Sequence, residues 1–227
     1  MKKALIALII LASITLNITA AIGDWKIYMS YSEPQQIQET GNYLFVQASN
    51  SLYLYNKNDQ SIQTFDKTTG MSDVVVTNIS WNQKAKRLVV VYDNSNIDLI
   101  DLQGNVTNVP DLYNKSMTED KTVNSIINND KYAYIATNFG GIKLNVASGE
   151  VYESYLLGQS IKRFAVSGST IYALNTQNKA ISAPLYANLQ DKANWTSVTT
   201  YPAGIFDVDN SAYTNNIELV KTLNPGG

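Results

Sequence analysis

From residue 36 onward the apolar positions fall in short alternating runs, separated by turns rich in Gly, Asn, Asp and Ser. A period of two sends successive side chains to opposite faces, which predicts β-strands. The turn residues are those that tolerate left-handed backbone or bond their own main chain. The same order of runs recurs. The first unit predicts strands at 36–40, 43–48, 52–55 and 62–65, and the second at 76–81, 87–92, 97–101 and 106–109. The third predicts 123–127, 132–137, 142–145 and 151–155, and the fourth 161–166, 170–175, 180–184 and 195–199. The turn before each second strand falls at Gly41, Lys86, Asp130 and Gly168, at intervals of 45, 44 and 38. Four short strands in about 40–50 residues match one blade of a β-propeller. Leu52 and Leu54 point to one face and Tyr53 and Tyr55 to the other, whereas Leu88-Val89-Val90-Val91 is apolar on both, as in a sheet covered on each side. A two-layer β-sandwich is the rival architecture, but it requires no repeat.

The expected fold class is therefore all-β, an incomplete β-propeller of four-stranded antiparallel blades. The blades run over about 36–73, 74–119, 120–158 and 159–202, and a fifth starts at 203–227 with strands at 205–208 and 217–220. Beyond a helical turn near 185–194, no segment has the pattern of an amphipathic helix. Trp25-Lys26-Ile27-Tyr28-Met29-Ser30-Tyr31 has no partner in the first unit and resembles an outer strand belonging to a final blade. Closure requires the last blade to meet the first, so the chain is expected to be a fragment, or else an open arc with exposed edges.

Residues 1–20 depart from this pattern. Lys2 and Lys3 precede an apolar run over 4–16, and Thr19-Ala20-Ala21 offers small residues for cleavage. This is the layout of a signal peptide, with an uncleaved anchor helix as the alternative. No second apolar stretch follows, so no membrane span is expected after cleavage. The chain is 44% hydrophobic and 16% charged, which suits a folded core rather than disorder. Without Lys2 and Lys3 it carries 15 basic and 19 acidic residues, and this mild acidity does not suggest nucleic acid as a partner. There is no cysteine and no histidine. Disulfides, cysteine-ligated metals and Ser-His-Asp or Cys-His catalysis are excluded, leaving carboxylate, Lys or Tyr chemistry. Export without cysteine points to a bacterial envelope rather than a disulfide-stapled secreted domain.

Gly70-Met71-Ser72-Asp73-Val74-Val75-Val76-Thr77-Asn78-Ile79 resembles the inter-blade signature of two-component-regulator propeller repeats, and 117–126 is a weaker copy without the leading glycine. A wider set of stretches resembles the N-terminal propeller of the PorZ family of the type IX secretion system. These are Trp25 to Tyr31, Gly41-Asn42, Ala48-Ser49-Asn50-Ser51-Leu52, Asn96-Ile97-Asp98-Leu99-Ile100, Val109-Pro110-Asp111-Leu112, Asn114-Lys115-Ser116-Met117 and Tyr132-Ala133-Tyr134-Ile135-Ala136-Thr137. The resemblance implies an exported, non-catalytic interaction module of a Gram-negative bacterium, in the periplasm, at the outer membrane surface or outside the cell. Its partners would be secretion-system components, a sortase-like protein that attaches cargo, or a glycan such as lipopolysaccharide. It also implies a longer protein with a second propeller and a β-sandwich. Two other functions remain open: a periplasmic glycan-sensing propeller of a two-component regulator, and a carboxylate-dependent polysaccharide-degrading enzyme.

Propeller ligands sit at the channel mouth, on loops held by a rigid scaffold. The inter-blade loops and the turns between second and third strands place Asp73, Asn94, Glu119, Asp120 and Asn138 on one such face, with Asp93 and Gln177 beside them. These are the candidate ligand-binding residues, for sugar hydroxyls or a cation; the competing explanation is ordinary turn chemistry. Their spacing fits no calcium loop, so no metal, cofactor or catalytic residue is assigned. Lys115, Lys121, Lys162 and Arg163 are candidates for an anionic glycan or a solvated rim, and Trp81 and Trp195 for sugar stacking or core. Asn138-Phe139-Gly140-Gly141 lies between two strands and predicts a hairpin turn, not a phosphate cradle.

Overall fold

The computed structural model describes residues 29–225. Sixteen strands form four separate four-stranded antiparallel sheets, each with its strands in sequence order. Blade 1 comprises β1 (Pro34–Thr40), β2 (Tyr43–Ala48), β3 (Ser51–Asn56) and β4 (Ile62–Phe65). Blade 2 comprises β5 (Val76–Asn82), β6 (Arg87–Tyr92), β7 (Ile97–Ile100) and β8 (Val106–Val109). Blade 3 comprises β9 (Val123–Asn129), β10 (Tyr132–Thr137), β11 (Gly140–Asn145) and β12 (Glu150–Leu156). Blade 4 comprises β13 (Ile161–Ser167), β14 (Thr170–Asn175), β15 (Ala180–Pro184) and β16 (Thr196–Val198). The predicted second strands 43–48 and 87–92 lie in different sheets, and the four sheets succeed one another through β1, β5, β9 and β13 rather than stacking in two layers, which rules out the two-layer alternative.

The turns explain the repeat. Gly41, Lys86, Asp130 and Gly168, which set its interval, share one left-handed conformation with φ of +57°, +55°, +53° and +57°. Ser49 and Asn50, between β2 and β3, are both left-handed, as a two-residue hairpin turn requires.

The core lies between blades. Phe45, Leu52, Leu54 and Phe65 of blade 1 meet Ile79, Trp81, Leu88 and Val90 of blade 2. Val89, Val91, Ile97 and Leu99 on the other face of blade 2 meet Ala133, Ile135, Ile142 and Leu144 of blade 3. Tyr134, Ala136 and Tyr155 then meet Phe164, Ile171, Ala173 and Trp195 of blade 4. The run Leu88-Val89-Val90-Val91 is fully buried because alternate members serve opposite junctions. Trp81 and Trp195 are core residues, which removes them as sugar-stacking candidates.

The described part of the last segment, residues 203–225, does not begin a fifth blade. Residues 203–206 form a turn, 207–210 carry no regular structure, and Ser211–Thr222 form a helix, labelled α2, after a one-turn helix α1 at Asp111–Asn114. The helix corrects both the predicted strands and the expectation that no amphipathic helix is present. Ile217-Glu218-Leu219-Val220 alternates like a strand, yet Tyr213, Ile217 and Val220 share one helical face. That face packs on Ile37, Leu44, Val46, Tyr53 and Tyr55, the side of blade 1 turned away from blade 2. Tertiary burial thus overrides a sequence poor in helix formers. The signal segment and residues 25–28 lie outside the described residues; residues 29–31 carry no strand.

Glu39 of β1 anchors the helix. It accepts a hydrogen bond from Asn216 Nδ2 at 3.1 Å and pairs with Lys57 at 2.5 Å. The bond from Lys57, then that from Asn216, hold its carboxyl below the ordinary 4.5. A depressed carboxylate stabilises above its unfolded pKa and ceases to do so as the pH falls through its folded value. Acidification below 4.5 should therefore loosen α2 before the blades, and amide hydrogen exchange should show α2 losing protection first; simultaneous loss everywhere would refute it.

Candidate functional site

The first strand of each blade lies innermost, and β1, β5, β9 and β13 neighbour one another in that order. Such strands expose an unpaired backbone edge. Side chains from adjacent blades cover it. Gln36 Nε2 donates to Thr77 O at 2.9 Å while its Oε1 accepts from Ile79 N at 3.1 Å. Gln38 Oε1 accepts from Trp81 N at 3.0 Å. From the other side, Asn128 Nδ2 donates to Ser80 Oγ at 2.7 Å and Trp81 O at 3.2 Å. Asn124 Nδ2 donates to Ile161 O at 2.8 Å, and Ser125 Oγ to Lys162 O at 2.9 Å. Blade 4 applies the same device to the chain that follows it: Arg163 Nη1 donates to Phe206 O at 2.6 Å.

These inner strands and residues 207–213 enclose a channel of about 960 Å³ with a polar wall. Each inner strand carries one bulge, at Gln35, Thr77, Asn124 and Lys162. A bulge re-aims a side chain without lengthening the partner strand, and here the four sit at corresponding places. The wall also carries Arg163, Asp207 and Asp209. The Ser211 hydroxyl and N–H hold the Asp209 carboxyl below the usual range.

At one end of the channel, a single backbone bond recurs in every blade, from the residue after the second strand to the loop before the first. It joins Ser49 to Glu33, Asp93 to Val75, Asn138 to Thr122 and Thr176 to Ser160, at 2.9, 3.0, 3.1 and 3.2 Å. All five candidate residues lie on the loops of this end. They form two separate pairs and not one cluster: Asn94 donates to Asp73, and Asn138 Nδ2 donates to Asp120 Oδ2 at 2.5 Å. The Asp120 carboxyl is held low by the Thr122 hydroxyl, the Thr122 N–H and then Asn138. Glu119 stands apart, accepting among the described residues only from the Thr118 hydroxyl at 3.3 Å. None of the five lies on the channel wall. The four candidate cations are dispersed as well. Lys121 Nζ is held by the carbonyls of Tyr113 and Lys115, Lys115 Nζ by Ser154 Oγ, and Arg163 by Phe206, while Lys162 is exposed. Asn138 and Phe139 form the turn of a hairpin in which Thr137 pairs with Gly140, as expected.

Asp98 was not singled out, yet it organises blade 2. Its carboxylate is fully buried and accepts from Ser72 N at 2.8 Å, Ser72 Oγ at 2.7 Å, Tyr92 OH at 2.5 Å and Asn108 Nδ2 at 2.9 Å. Burial, and then the adjacent Asp98 charge, push the Tyr92 pKa far up, so its phenol remains a donor. Two stretches that carried the family resemblance, at 70–79 and 96–100, are thus two halves of one clamp. The available signal was a lone carboxylate inside the apolar run Ile97-Asp98-Leu99-Ile100.

Among solved structures, the fold is similar to PorZ of Porphyromonas gingivalis, an essential bacterial surface component of the type-IX secretion system, at 30% identity and a TM-score of 0.72 over 78% of this chain. The matched part is 24% of that protein, so the chain spans about a quarter of its length. The extracellular domain of BT4673 from B. thetaiotaomicron, named as a hybrid two component system, matches at 17% identity and a TM-score of 0.56, over 75% of this chain and 22% of that one. AztD of Citrobacter koseri matches at 15% identity and a TM-score of 0.56, over 74% of this chain and 48% of that one. These last two show the fold alone. No curated protein matches the chain. The family model described as the type IX secretion PorZ N-terminal β-propeller domain matches residues 44–196, from the second strand of blade 1 to the last strand of blade 4, and the chain belongs to that family.

Proposed function

We propose that the chain is a non-catalytic interaction module of the cell envelope that serves type IX protein secretion and the attachment of cargo at the surface. The observation that carries this is the preorganised end of the propeller. Its loops are tied by the same backbone bond in all four blades, and the carboxylates of Asp73 and Asp120 are engaged by neighbouring amides. A face fixed in this way suits docking, because little loop entropy is lost on association. The Asp73 and Asp120 carboxylates hold their own loops rather than pairing across a cleft for acid–base work. The layout of residues 1–20 supports export, and among the described residues no helix is long and apolar enough to cross a membrane. The role of PorZ as a bacterial surface component of the type-IX secretion system supports the secretion assignment.

The test is deletion of the full-length gene in its own host. Surface-attached cargo should fall and return on complementation, with transcription of polysaccharide-utilisation genes unchanged. Unaltered cargo display would overturn the proposal, and a transcriptional response to glycans lost with the gene would instead favour a sensing propeller.

A further inference from the structure

The end of the propeller whose loops share the recurring backbone bond also collects exposed apolar side chains. Val74 follows the fourth strand of blade 1 and Tyr113 that of blade 2. Leu156 ends the fourth strand of blade 3, and Tyr201 and Val208 follow that of blade 4. Each is 37–55% exposed. In a blade of four antiparallel strands the fourth ends where the first begins, so all five stand at this end. The other large apolar side chains exposed among the described residues lie elsewhere: Tyr186 at the opposite end, Tyr152 within β12 and Leu219 on α2. A single exposed apolar residue is ordinary on a protein surface. A concentration at one end, to which every blade contributes, marks an interaction site.

The charges divide between the two ends as well. At the tied end, the loops 49–50, 66–75, 93–96, 110–122, 138–139, 157–160, 176–179 and 199–210 carry eight carboxylates and four lysines. At the other end, the loops 41–42, 57–61, 83–86, 101–105, 130–131, 146–149, 168–169 and 185–195 carry four carboxylates and five lysines. Two of the lysines at the tied end are turned inward: Lys121 Nζ donates to the carbonyls of Tyr113 and Lys115, and Lys115 Nζ to Ser154 Oγ. Asp93, Asp111, Glu119 and Asp120 are exposed there.

We infer that this end docks a polypeptide surface that is cationic and carries apolar side chains. Apolar anchors within a polar surround are the makeup of a protein–protein interface, and tyrosine is a favoured anchor. The excess of carboxylates steers a partner of opposite charge inward and turns like charge away. An anionic glycan or an anionic lipid surface is therefore repelled. The assignment rests on the docking role proposed above and adds the partner's chemistry to it.

Fluorescence anisotropy with a labelled amphipathic peptide of Lys and Leu tests this, against one twin with Glu in place of Lys and another with Ser in place of Leu. The Lys–Leu peptide should bind the protein at least about tenfold more tightly than either twin, and should weaken as salt is raised. Tyr113→Ser should weaken it about fivefold or more without lowering Tm, because Lys121 holds the Tyr113 carbonyl and not its ring. Asp93→Asn combined with Asp111→Asn should flatten the salt dependence. Tyr186→Ser, at the opposite end and 85% exposed, should leave binding unchanged. Equal binding of the Glu–Leu twin, no binding of the Lys–Leu peptide, or a loss with Tyr186→Ser as large as with Tyr113→Ser would each overturn the assignment. So would binding of dextran sulfate in place of the peptide. Cargo display that falls on gene deletion while the peptide fails to bind would remove this partner chemistry and leave the secretion role standing.

Discussion

Asp98→Ala should destabilise the protein by about 3 kcal/mol, a fall in melting temperature of roughly 6 to 12 °C for a chain of this size. The carboxylate has no access to solvent and accepts four hydrogen bonds. Alanine leaves four donors facing a void: a backbone N–H, two hydroxyls and an amide. Each buried donor left without an acceptor costs about 1–3 kcal/mol. Part of that sum is offset, because a buried charge with no cation beside it is itself unfavourable. Asp98→Asn should fall between the wild type and alanine, since one oxygen still accepts while the new NH₂ confronts donors. By comparison, breaking the exposed Lys221–Glu218 pair, whose side chains are 56% and 84% exposed, should change little. Urea denaturation decides the matter. A loss for Asp98→Ala no greater than for Lys221→Ala would show that the clamp does not hold the inter-blade turn.

The same clamp shows what was legible in the sequence. The strands were, because a sheet packed between two neighbours is apolar on both faces. Leu88 and Val90 answer to one junction, and Val89 and Val91 to the next. The repeat was also legible, because its turns need left-handed backbone at Gly41, Lys86, Asp130 and Gly168. The helix α2 was not. Its residues alternate as a strand would, and only docking on Ile37, Val46 and Tyr55 selects the helical face. The inner-strand bulges were invisible for a related reason: one extra residue changes register without changing composition. At the channel mouth, the sequence placed Asp73, Asn94, Asp120 and Asn138 at one end of the propeller but could not show that they pair within blades. Asp98 was visible as a charge in an apolar strand; the chain distance to Ser72 hid its partner.

Gly140→Ala should cost about 4 kcal/mol or more and sharply reduce the yield of folded protein. Gly140 opens β11 with φ of +137°, a conformation that is nearly closed to residues with a side chain. An added Cβ would lie 2.1 Å from Tyr155 O and 2.8 Å from Leu157 N. Both are backbone atoms at the end of β12, so no side-chain rotation relieves the clash. Relief requires β12 to move away from β11, which breaks the pairing of Gly140 with Leu156 and Gly141 with Tyr155. Tyr155 is fully buried against Phe164 and Trp195, so the disturbance reaches the junction with blade 4. Gly168 supplies the internal comparison. It is also left-handed, at φ +57°, but an added Cβ there meets nothing within 4 Å. Lys86 and Asp130 occupy the corresponding turns with the same backbone. Gly168→Ala should therefore cost only about 1 kcal/mol. Denaturation of the two variants side by side, with hydrogen exchange over β12, separates steric exclusion from loss of conformational freedom. Equal stability of Gly140→Ala and Gly168→Ala would mean that β12 yields to the methyl group without loss, and that the blade 3–blade 4 junction does not depend on the hairpin's glycine.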